Sequence, residues 1–63
     1  MTRDEARKEL AVLSNGLSID MVSGEHYAGG RSILWHIAAI GDWRSDLCST
    51  WSEAVEQVKE KMK

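Results

Sequence analysis

The sequence predicts an α+β fold in which a helix, a three-stranded antiparallel sheet and a second helix follow one another (αβββα), all in one domain spanning residues 1–63. Three observations carry this. A helix-opening tetrad stands near each end of the chain, at Thr2-Arg3-Asp4-Glu5 and Thr50-Trp51-Ser52-Glu53. Between them lie apolar segments without helical spacing, separated by Gly29-Gly30 and Gly41-Asp42. No proline occurs in the chain, so no element is interrupted.

Each tetrad fits a capping box, in which the threonine hydroxyl and the glutamate three residues on satisfy amides left free at a helix start. After the first, Ala6, Leu10 and Leu13 recur at i, i+4 and i+7 with Val12 beside them, and Asn15-Gly16 supplies residues that tolerate the left-handed conformation closing a helix. The first helix is therefore expected over residues 3–14. After the second box, Trp51, Ala54, Val55, Val58 and Met62 share one helical face. Lys59, Lys61 and Lys63 suit the negative end of the helix dipole.

The strands follow from other patterns. Leu17, Ile19 and Met21 alternate with Ser18 and Asp20, which predicts a half-buried strand over 17–23. Residues 32–40, SILWHIAAI, are apolar at nearly every position and read as the central strand. Gly41-Asp42 is a tight-turn dipeptide, and 43–49 is expected to return as the third strand. SGEHYAGGRS, residues 23–32, has glycines spaced as in a phosphate-binding loop, but Gly30 stands where that motif needs lysine and no helix follows. It reads as a mobile hairpin loop, with Glu25, His26 and Tyr27 at its tip as candidate contacts.

Two hairpin registers are open. A two-residue Gly-Asp turn pairs Ile40 with Trp43 and leaves Trp35 and Ile37 on the opposite face from Leu34, His36, Ala38 and Ile40. A three-residue loop pairs Ala39 with Trp43, collecting Ile33, Trp35, Ile37 and Ala39 with Trp43, Ser45 and Leu47, against Leu34, His36, Arg44, Asp46 and Cys48. Turn chemistry favours the first and clean alternation the second; the second is taken as the expectation. A one-residue slip exchanges every side chain between faces. In both registers the central strand is apolar on its two sides. Two helices on one face would leave the other exposing a contiguous apolar patch, which on a soluble protein marks an interaction site. Trp43 and Trp51 are expected in the core, while Trp35 stays open between core and contact surface.

Sixty-three residues bury little. A domain of that size hides only about 60% of the surface its unfolded chain exposes, so staples are common. Cys48 is the single cysteine, which excludes an intramolecular disulfide, and His26, His36 and Cys48 lack zinc-ligand spacing, so neither metal nor cofactor is expected. Self-association is the remaining staple. The charged start MTRDEARKEL lacks the apolar run of a signal peptide, and no segment is long enough to span a membrane, which reads as a cytoplasmic protein. A net charge of −2 argues against affinity drawn chiefly from phosphates.

In the preferred register His36 faces Asp46 with Cys48 nearby, a nucleophile, imidazole and carboxylate together. A thin sheet offers no water-excluding pocket for them, and no enzyme is expected. The order of elements resembles that of double-stranded RNA-binding domains. That family holds phosphates with lysines at the start of its second helix, where this chain has TWSEAVEQ, with two glutamates and no base. The ending DLCSTWSEAVEQV is similar to small antitoxin and phage-encoded domains. The expected function is a non-enzymatic protein–protein interaction module of adaptor or inhibitor type. It would form a homodimer or dock on another protein through the outer sheet face, with Trp35, Ile37, Leu34, His36 and Arg44 as contacts. The alternative is a nucleic-acid binder using Arg31, Arg44 and the C-terminal lysines.

Overall fold

The computed structural model describes residues 1–62 and has the order helix, three antiparallel strands, helix. Helix α1 spans Arg3–Ser14, strands β1, β2 and β3 span Ile19–Ala28, Arg31–Ile40 and Trp43–Arg44, and α2 spans Trp51–Lys61. The sheet runs β1-β2-β3 in space as in sequence. Lys63, expected at the end of α2, lies outside the described residues.

Both helices begin as their sequences dictate. Thr2 Oγ1 accepts from Glu5 N–H at 3.2 Å, and the Glu5 carboxylate accepts from Thr2 N–H at 3.0 Å, a complete capping box that holds the Glu5 pKa below its ordinary value. At α2 only half of the box forms. Thr50 Oγ1 accepts from Glu53 N–H, but the Glu53 carboxylate instead accepts from the Ser49 hydroxyl at 2.9 Å. Asn15, with φ 49°, closes α1. Ala6 and Leu10 point inward, while Val12 is 82% exposed and not part of the apolar face.

The two-residue hairpins set the registers. Gly29 and Gly30 both have positive φ, as a type I′ turn requires, and Ala28 pairs with Arg31 directly across it. Residues 23–32 are thus mostly strand and not a mobile loop: β1 and β2 stay paired over ten residues each. At the second turn Gly41 has φ 59° and Ile40 pairs with Trp43. This is the register favoured by turn chemistry, and the expected three-residue loop is overturned. The reason is packing. It places Ile40 and Ala38 on the same face as Met21, under the helices, where all three are buried.

The third strand is shorter than the expected 43–49. Between the pairs Ala39–Arg44 and His36–Cys48, β2 has two residues and the returning chain three, Ser45, Asp46 and Leu47. This is a bulge, and Ser45 fills its unpaired position. Its N–H donates to Ala38 O at 2.8 Å, and its hydroxyl accepts from Ala38 N–H at 3.0 Å while donating to Asp46 O. The detour turns Cys48 inward and leaves Leu47 60% exposed.

Every buried strand side chain belongs to one face. Met21, Ala38, Ile40 and Cys48 pack with Ala6 and Leu10 of α1 and with Trp51, Ala54, Val55 and Val58 of α2. Trp51 is buried and Trp43 is half-buried against this core, as expected. No helix packs on the other face. The molecule is elongated, 41 × 21 × 17 Å, because the Gly29-Gly30 end of the hairpin projects past the helices.

Candidate functional site

The uncovered face is built from alternate residues of the long hairpin. Ile33, Trp35, Ile37 and Ala39 lie along β2, with Val22, Gly24 and His26 beside them on β1 and Arg44 on β3. The four β2 residues are only half-buried, and Val22 is 43% exposed. Asp20 and Arg31 stand at opposite ends of this face. A shallow depression continues it around the bulge, between Ile37, Arg44 and Leu47.

Trp35 has a specific seat. It pairs with Gly24, and a methyl group on Gly24 would fall 2.5 Å from Cζ2 and 2.9 Å from Cε2 of the indole. The ring therefore lies flat across β1 in the space a side chain would occupy. Glycine at position 24 makes the face smooth there.

The other expected contact residues divide between two sides. Ile37 and Arg44 share the Trp35 face. Leu34 and His36 do not: the observed register turns both to the helix side. Leu34 lies past the reach of the helices and is 60% exposed. His36 is covered by Trp51, their rings stacked with centroids 4.6 Å apart. Glu25, His26 and Tyr27 are strand residues and not a loop tip. Glu25 and Tyr27 point to the helix side of the projecting arm, where the Ser32 hydroxyl donates to Glu25, while His26 points to the Trp35 side.

The nucleophile–imidazole–carboxylate grouping does not assemble. His36 is opposite Cys48, and Asp46 is carried outward by the bulge, its N–H donating to Gln57 Oε1. Burial pushes the Cys48 thiol pKa up, so it is held in the protonated, poorly nucleophilic form. His36 Nδ1 is buried without a hydrogen-bond partner. No cluster of three metal-ligating side chains occurs among the described residues. A cleft of about 670 Å³ lies between the end of α2 and the β2–β3 turn, lined by Leu17, Ile40, Trp43, Val58 and Met62, with Lys61 and Asp42 as opposed charges.

The basic residues are likewise separated. Arg31 is at the arm's tip, whereas Lys61 is beside Gly41 at the other end of β2, nine residues or about 30 Å away. No helix among the described residues is long and apolar enough to cross a membrane. Comparison of the chain with family models, curated proteins and solved structures returns no match.

Sequence reasoning left Val22 and Gly24 out of the candidate surface. Counting outward from Gly29-Gly30 as a two-residue turn would have placed Gly24 opposite Trp35. A glycine opposite an aromatic in a hairpin was the available signal.

Proposed function

We propose that this chain is a non-enzymatic protein–protein interaction module, acting in the cytoplasm, that associates through the outer face of its sheet, first with a second copy of itself. The observation that carries the reading is the row Ile33, Trp35, Ile37 and Ala39, flanked by Val22, which no helix covers. Soluble domains cover such rows or use them. Large aromatic side chains at the centre of a contact dominate its energy, and Trp35 is central here.

Amide chemical-shift mapping over a concentration series tests this. Shifts that grow with concentration and centre on Val22, Ile33, Trp35 and Ile37 are expected, and Trp35→Ser should abolish them while the chain stays folded. Concentration-independent spectra, together with a Trp35→Ser chain that folds equally well, would remove the basis for the reading.

A further inference from the structure

We propose that two copies join edge to edge through the outer edge of β1, antiparallel about a two-fold axis at Gly24, making one continuous six-stranded sheet. This deepens the reading above, on which it rests for the role of the outer face.

The direction of the backbone groups comes first. His36 exchanges both its hydrogen bonds with Cys48, and Ala38 bonds Ser45, so the even-numbered residues of β2 face β3 and the odd-numbered ones face β1. In the β1 ladder the bonded partners are then Val22, Gly24 and His26, and the N–H and C=O groups of Met21, Ser23, Glu25 and Tyr27 point outward. A row of this kind is a template for another strand. Its two halves differ. At Met21 the N–H donates to Asp20 Oδ1 at 3.0 Å and the carbonyl accepts from Arg3 at 3.4 Å, whereas no comparable guard covers Ser23, Glu25 or Tyr27.

The register follows from complementarity. An axis at Glu25 would oppose two like charges. An axis at Gly24 instead pairs Ser23 with Glu25 of the second copy and Val22 with His26. Across the seam the two glycines lie side by side, so both Trp35 rings, each already seated over its own Gly24, meet above a trough without side chains. Asp20 then faces Ala28 of the second copy, over which that copy's Arg31 can reach the carboxylate. Tyr27 of the second copy takes over the Met21 backbone groups, which releases Asp20 for that ion pair.

Area argues the same way. One face about 30 Å long and two to three strands wide covers roughly 300–400 Å² in plan, thin against the ~800 Å² per partner of a standard interface. Edge pairing doubles it.

The test is sedimentation of the full chain over the micromolar to submillimolar range, beside Glu25→Pro and Trp35→Ser. Proline at an outward-pointing position removes only an N–H that the monomer does not use. The wild type is expected to dimerise, and Glu25→Pro to weaken dimerisation by at least about a hundredfold with unchanged circular dichroism, since several seam hydrogen bonds are lost. Trp35→Ser should weaken it by about tenfold. A Glu25→Pro chain that dimerises normally while Trp35→Ser does not would overturn the edge pairing and leave the face reading standing. The reverse pattern would support the edge and remove Trp35 from it. A strictly monomeric wild type would overturn the pairing. Should Glu25→Pro fail to fold, the double variant Val22→Cys/His26→Cys decides: oxidation to a covalent dimer supports the register, and its absence overturns it.

Discussion

The same two strands behave differently along their length. Beneath the helices, Met21, Ala38 and Ile40 are at most 7% exposed, whereas on the same side of the projecting arm Leu34 and Tyr27 are 60% and 78% exposed. Backbone pairing is unbroken through both halves. An isolated two-stranded hairpin is marginal in water, so the arm is ordered because it continues a sheet that the helices hold, and by the turn geometry of Gly29-Gly30. The difference separates what stabilises this chain from what it presents.

The heaviest blow to the covered half is Leu10→Ala. Leu10 is fully buried between the layers, and the change should cost about 2–5 kcal/mol, read as a lowered denaturation midpoint. Ser45→Ala comes next. It strips the Ala38 N–H of its buried partner inside the bulge and should cost about 1–3 kcal/mol by the same measurement. Thr50→Ala removes the α2 cap and should cost about 1 kcal/mol.

The arm should respond differently. Gly24→Ala forces the Trp35 ring aside, but the ring lies on an uncovered face and can swing into solvent. The expected penalty is about 1 kcal/mol or less, with a large shift of the Trp35 indole N–H resonance. A cost approaching that of Leu10→Ala would show that the outer face is held as firmly as the core and would break the contrast drawn here. Leu34→Ser should fall within about 0.5 kcal/mol of wild type, and amide exchange in residues 23–34 should proceed by local opening in both.

The helices were legible because capping chemistry and 3.6-residue spacing are local: Thr2, Glu5, Asn15 and Thr50 sit where the sequence puts them. The fold class followed from their order. What the sequence hid was decided at a distance. The register at Gly41 depended on where Ile40 could be buried, and the bulge at Ser45 depended on a hydroxyl replacing a backbone acceptor. Residues 23–28 were polar enough to read as loop because the arm lacks a buried side, so alternation carried no signal there. Of the candidate surface, Trp35 and Ile37 were foreseeable from β2 alone. The seat of Trp35 was not, because it depends on pairing across Gly29-Gly30.

Spatial strand order equals chain order, and both reversals within the sheet take two residues. Contacts inside the sheet are consequently short in sequence separation, and the long hairpin can zip from its glycine turn in microseconds. Only the docking of α1 on α2 must close a span reaching almost from one end of the chain to the other. That closure involves the buried Leu10 and Val58 rather than the arm, so substitutions at the arm's tip should leave the folding rate nearly unchanged.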